Sequence, residues 1–151
     1  MRNLFNFLMA MMIAGSTLAP AYAEGGYKKK DSPLKPYHEL IEAEQYQQAI
    51  KELGEALRDD PDNADMLNLI AYSNRKLKNF DIALDYYQQA LAIEPDHRGA
   101  NEYLGELYLQ TGQPEKAEER LKVLDEECFF GCDEYDELEA AIEEYRKQNP
   151  S

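Results

Sequence analysis

Two cysteines carry the clearest chemical signal in this chain. Cys128 and Cys132 enclose Phe129, Phe130 and Gly131, and a C-x-x-x-C spacing offers three chemistries. The first reading is a disulfide. Residues four apart on a straight helix hold their Cβ atoms about 5–6 Å apart, whereas a disulfide needs about 3.8 Å; Gly131 permits the sharp turn that closes the gap. So short a ring contributes only about 2 kcal/mol by chain entropy, so its effect is local, fixing the angle at which the following segment leaves. The second reading is soft-metal binding, because two thiolates can hold Cu(I) with little else. Zinc would want two further ligands, and His38 and His97 are too distant in sequence to be assigned to the pair. The third is thiol redox chemistry. A helix beginning at Cys132 would favour its thiolate. Glu126, Glu127, Asp133, Glu134 and Asp136 crowd the pair with negative charge that disfavours it, and the C-x-x-C of redox motifs is missing. Phe129 and Phe130 read as core plugs.

Export would favour the oxidised pair, and the amino terminus predicts export. After Arg2, residues Leu4 to Gly15 are nearly all apolar, with Asn6 the one strongly polar residue, and Ala21-Tyr22-Ala23 supplies an A-x-A cleavage signature. The apolar run is too short to anchor a helix across a bilayer. Residues 1–23 are therefore expected to be a signal peptide cut after Ala23, giving a periplasmic or secreted protein without membrane insertion. Four of the five methionines lie in that segment, which weakens a Met-assisted copper site. The formal net charge is −14, and losing Arg2 makes it about one unit more negative. Such a field repels nucleic acid and anionic lipid and fits basic partners. Residues 24–35, with Lys28-Lys29-Lys30 and little apolar content, read as a flexible leader.

A ladder of period 34 organises what remains. Ala49, Ala83 and Ala117 keep that step, as do Tyr46, Phe80 and Pro114, then Ala56, Ala90 and Leu124, then Pro61 and Pro95. A fixed step of this size means stacked supersecondary units. In the middle unit Leu67, Ile70, Ala71 and Asn74 fall at helical spacing, behind Asp62 or Asn63 as cap. Lys78-Asn79 forms a turn, with Asn79 suited to the left-handed conformation. Phe80, Ala83, Leu84, Tyr87, Ala90 and Leu91 make the stripe of a second helix, which Pro95 ends. Ala71 and Ala83 let the two helices approach closely, and Ala90 admits the next unit. In the first unit Pro33 and Pro36 shorten the first helix. Beyond the cysteines, Tyr135, Leu138, Ile142 and Tyr145 stripe a final helix over 133–148, with Asp133 as its cap.

The middle unit resembles a tetratricopeptide repeat, on Leu67, Ile70, Ala71, Phe80, Ala83, Tyr87, Ala90 and Pro95. The following one repeats it with Leu104, Gly105, Tyr108, Gly112, Ala117 and Leu121, departing at Asn101, where the family has a large apolar residue. The resemblance implies an all-α fold, a short right-handed α-solenoid of helix-turn-helix repeats over 36–62, 63–96 and 97–126. A Cys-x3-Cys turn at 127–132 and a capping helix at 133–148 complete it. The tail C-F-F-G-C-D-E-Y resembles the ends of small exported bacterial tetratricopeptide proteins. By analogy with the family, the concave groove is lined by Asp65, Asn68, Tyr72, Arg75 and Lys76, then by Glu102, Glu106, Leu109 and Gln110. The positions of the family's carboxylate clamp hold His38, Leu69, Gly99 and Tyr103, so a C-terminal peptide of that type is not expected.

No phosphate-binding loop, nucleophile elbow, H-E-x-x-H or calcium-loop pattern is present. The expected function is therefore a non-catalytic scaffold without a cofactor, binding a protein or peptide, a basic or mixed one by charge. The alternative is a copper-handling or thiol-redox accessory protein using Cys128 and Cys132.

Overall fold

The computed structural model describes residues 32–150, and among them there are seven helices and no strand. The expected signal peptide at 1–23 and most of the expected leader at 24–35 lie outside the described residues. Helices α1 (Lys35–Glu42) and α2 (Tyr46–Ala56), α3 (Ala64–Lys76) and α4 (Phe80–Ile93), and α5 (Arg98–Gln110) and α6 (Pro114–Glu127) form three antiparallel pairs; α7 (Asp133–Gln148) stands alone at the end. Among the described residues no helix is long and apolar enough to cross a membrane.

The ends of these helices follow local chemistry. Pro36 sits in the first turn of α1, where its fixed φ and missing N–H suit a helix start, so it opens the short helix. Asn63 caps α3, its side chain accepting from the Met66 N–H at 2.9 Å. The turn inside the second pair departs from expectation: Lys78, not Asn79, is left-handed, with φ of 63°. Glu44 at 56° and Gly112 at 73° stand one period either side of it. Each turn is locked by the same long bond: Gln45 N–H to Leu40 O at 2.8 Å, Asn79 N–H to Asn74 O at 2.9 Å, Gln113 N–H to Tyr108 O at 2.8 Å. This is the closure of a Schellman motif. The register of the bond decides which residue turns left-handed, and it selects Lys78 over its neighbour. Asp133 does not cap α7; it is that helix's first residue, and Cys132 holds the cap position without a side-chain bond. Asp133, Glu134 and Asp136 instead place negative charge at the positive end of the helix dipole.

The small residues of the ladder mark where helices meet. Ala49, Ala71, Ala83, Ala90, Ala100 and Ala117 are all fully buried. Ala71, Ala83, Ala90 and Ala100 lie with Tyr87 and Leu104 in the central core, Ala49 lies with Leu53, Leu69 and Ile70, and Ala117 lies with Leu109, Leu124, Leu138 and Ile142 in the core beneath α7. Gly105 stands one period after Ala71, and a Cβ there would lie 2.6 Å from both methyls of Leu138. The bulk of Leu138 fills the room that the glycine leaves, which seats α7 on α5 where the first helix of a further repeat would stack. Asn101 is buried in an apolar position yet fully bonded. Its amide donates to Pro95 O at 3.0 Å and His97 O at 3.1 Å and accepts from Arg120 at 3.3 Å. A buried amide is tolerated when its partners are supplied, and here they tie α5 to the preceding loop and to α6.

Candidate functional site

The nine groove positions lie on α3 and α5, but they do not form one open face. Asp65, Lys76 and Gln110 are exposed, and Tyr72 and Glu106 are half-buried. Asn68, Arg75, Glu102 and Leu109 are buried. The helices pack more tightly than an open groove would allow. Gly99 brings α5 within contact of Asn68, whose amide nitrogen would stand 3.1 Å from a Cβ at 99. On the other side α7 covers Glu102 and Leu109. The concave groove lining expected of these nine positions is thus replaced by a partly buried polar seam.

At the centre of that seam is a cation–aromatic cluster. The rings of Tyr72 and Tyr103 pack at 4.8 Å between centroids, tilted by 55°. The Arg75 guanidinium lies 5.3 Å from one ring and 5.5 Å from the other and pairs with Glu106 at 2.5 Å. Burial works against the charge of Arg75, but Tyr87 and Glu106 outweigh it and hold the guanidinium more firmly protonated than usual. Burial raises the Tyr72 phenol and pushes Tyr103 up to about 12, so both rings present neutral hydroxyls. The Lys76 ammonium sits 5.7 Å from the Tyr72 ring. Tyr103, at a clamp position and absent from the expected groove set, is therefore part of the cluster; its period-34 relation to Leu69 concealed it.

Glu102 is the second feature. Burial raises its carboxyl to about 9, and a hydrogen bond with Glu137 and the negative charge of that residue add to the rise. Its carboxyl therefore keeps a proton to higher pH than an ordinary glutamate, while its Oε1 is buried without a hydrogen-bond partner. Asn68 Oδ1, Arg75 Nε and the Tyr87 hydroxyl are buried without a well-formed bond as well. Beside this seam two clefts open along α5. One, of about 430 Å³, lies between α5 and α7 and is lined by Glu106, Leu109, Gln110 and Tyr145 among others. The other, of about 490 Å³, is lined by Arg75, Lys76, Lys78, Phe80 and Gln110.

His97 has a structural task. Its Nδ1 accepts the Ala100 N–H at 3.1 Å, capping α5, and its Nε2 meets Asp65 at 3.1 Å. This occupies Asp65 from the side. Cys128 and Cys132 are joined in a disulfide with Cα atoms 5.6 Å apart, and Gly131 at φ of 85° makes the turn. Ligation of Cu(I) by these two sulfurs would first require their reduction. Among the described residues no group of three or more His, Cys, Asp or Glu side chains is arranged to hold a metal ion. Phe129 and Phe130 are not core plugs: they are 85% and 97% exposed, packed edge to face at 5.0 Å. The disulfide turns the chain so quickly that α7 begins before either ring can fold back under it.

Comparison with known proteins places this geometry. Family profiles for the tetratricopeptide repeat match residues 38–93 and 74–142. The human protein O-mannosyl-transferase TMTC3 is 34% identical over 64 residues, which are 42% of this chain and 7% of that protein. The first TPR of Spaghetti (RPAP3), solved with the HSP90 peptide SRMEEVD, superposes with a TM-score of 0.63 at 18% identity, over 73% of this chain and 87% of that one. The type III secretion translocator chaperone SycD of Yersinia enterocolitica gives 0.66 at 15%, over 78% and 91%. A tetratricopeptide repeat protein of Parabacteroides merdae gives 0.63 at 22%, over 80% and 49%. With paired helices at a step of 34, small residues at their contacts and two overlapping profile matches, the chain belongs to the tetratricopeptide repeat family.

Proposed function

We propose that this protein is an exported, non-catalytic scaffold that binds a protein or peptide along the face formed by α3 and α5. The observation that carries this reading is the cluster of Tyr72, Tyr103 and Arg75. Flat rings and a guanidinium pinned by Glu106 offer a preorganised floor for the backbone and planar side chains of a bound segment. A fold neighbour solved with a peptide and another that is a secretion chaperone support a binding role for this architecture. A basic or mixed partner fits the net charge of −14.

The test is capture from the exported fraction of the native cell, followed by titration of the captured protein in purified form. Tyr72→Ala should weaken binding about tenfold or more, the usual range for a central aromatic anchor. The variant's circular dichroism should remain that of the wild type. Equal affinity for both would remove the α3–α5 face as the binding site. Detection of the uncut chain in the inner membrane would overturn the export part.

A further inference from the structure

Two features, one remote from the Tyr72 cluster and one sharing Arg75 and Lys76 with it, match each other. The first is the loop between α6 and α7. A disulfide closes it, and it holds Phe129 and Phe130 almost wholly in solvent. Acids flank it: Glu126, Glu127, Asp133 and Asp136 are exposed and Glu134 half-buried. Two adjoining phenyl rings held out by a covalent clasp form the kind of anchor that interfaces bury. The second is the cleft of about 490 Å³ lined by Arg75, Lys76, Lys78, Phe80 and Gln110. Lys76 and Lys78 are exposed and, among the described residues, neither makes an ion pair. In a chain of net charge −14 this cleft is a local cationic spot with an aromatic wall, and the loop is an aromatic tip with an acidic rim.

Loop and cleft of the same molecule cannot meet. Arg98, at the start of α5, reaches the Glu127 carbonyl beside the loop at 3.4 Å, while Gln110, at the end of α5, lines the cleft. The 13 residues of α5 hold the two about 20 Å apart.

We propose that the Cys128–Cys132 loop of one molecule docks in the Arg75–Lys76–Lys78–Phe80–Gln110 cleft of a second copy, joining copies head to tail. The inference shares Arg75, Lys76 and Gln110 with the face proposed above and to that extent rests on that reading; it adds the identity of one occupant. Because loop and cleft are different surfaces, the contact is heterologous and does not close at two molecules by itself. The wild-type protein therefore forms dimers and larger species as its concentration rises.

The decisive experiment mixes two defective forms, with mass read by sedimentation velocity up to about 1 mM protein. A Lys76→Glu, Lys78→Glu variant keeps its loop and loses the cleft's charge; a Phe129→Ser, Phe130→Ser variant keeps its cleft and loses the anchor. All four positions are exposed, so both variants fold, which circular dichroism checks. Each alone should be monomeric, with self-affinity down about tenfold or more. Their equimolar mixture should give one-to-one dimers and nothing larger. A wild type that stays monomeric, assembly that survives in either variant alone, or a mixture that stays monomeric overturns the proposal. So does loss of a different captured protein on Phe129→Ser, Phe130→Ser while the wild type remains a monomer. Tyr72 is untouched throughout, so failure here leaves the Tyr72→Ala titration to be judged separately.

Discussion

Replacing Gly105 with alanine tests how α7 is seated. A Cβ at this position would stand 2.6 Å from both Leu138 methyls and 3.2 Å from its Cγ. Carbon atoms in contact prefer about 3.5–4.0 Å, so Leu138 would have to retreat by about 1 Å. It cannot swing into solvent, because it is fully buried beside Leu109, Leu124 and Ile142. Overpacking of this kind costs about 1–3 kcal/mol, and the better helix propensity of alanine offsets about 1 kcal/mol of it. The expected result is a net loss of up to about 2 kcal/mol in urea unfolding, with faster hydrogen exchange concentrated in α7. Gly54 supplies the control. It lies in α2, and a Cβ there would meet nothing within 4 Å, so Gly54→Ala should stabilise by up to about 1 kcal/mol. In a Leu138→Ala background the obstruction is gone, and Gly105→Ala should change sign and stabilise too, a coupling that neighbouring side chains show. If Gly105→Ala stabilises the otherwise unmodified chain as Gly54→Ala does, the account of α7 seated by Leu138 against a glycine is wrong.

Three further outcomes follow from the same structure. Glu44→Gly and Lys78→Gly, at the left-handed turn positions, should each raise stability by about 0.5–1 kcal/mol in denaturant unfolding, because glycine bears that conformation without steric cost; an unchanged or lower midpoint would contradict it. The raised Glu102 carboxyl gives a pH dependence whose sign is fixed. The folded chain keeps a proton that the unfolded chain loses above about 4.5, so stability is fully present below that pH and falls as pH climbs toward about 9. Glu102→Gln should flatten that slope in unfolding midpoints measured across the range, and an identical slope in the variant would rule the residue out as its source. Reduction of the Cys128–Cys132 bond should lower stability by no more than about 2 kcal/mol and leave the helical circular dichroism intact, whereas global unfolding on reduction would mean the bond holds more than one corner.

The period-34 ladder made the repeat fold legible, because small residues at fixed steps have one physical use, the close approach of paired helices. Ala71, Ala83 and Ala90 are buried where that logic puts them. What the pattern hid lies where a position's task depends on a distant neighbour. Asn68, Arg75, Glu102 and Leu109 occupy surface positions of the repeat; the closeness of Gly99 covers Asn68, the Tyr72 and Tyr103 rings with Glu106 enclose Arg75, and α7 covers Glu102 and Leu109. Asn101 departs from the apolar pattern because Pro95, His97 and Arg120 satisfy its amide, which no spacing rule reveals. Phe129 and Phe130 look like core by composition, yet the short disulfide ring leaves no element over them. The left-handed residue of the central turn is chosen by the long backbone bond from Asn79 to Asn74, so a reading based on the preference of asparagine settles on the wrong neighbour.

Those three turns also bear on the order in which the chain folds. Glu44 and Lys78 disfavour the backbone shape that their hairpins require, while Gly112 adopts it freely. A hairpin whose turn resists closing needs its helices already packed, so it is a poor nucleus. The α5–α6 hairpin is the one whose turn helps, and folding should start there and spread toward the amino terminus, repeat by repeat, as nearest-neighbour arrays do. During refolding, pulse-labelled amides of α5 and α6 should be protected before those of α3 and α4, and the reverse order would refute it. The turn residues thus give a nearly repetitive chain a direction in time.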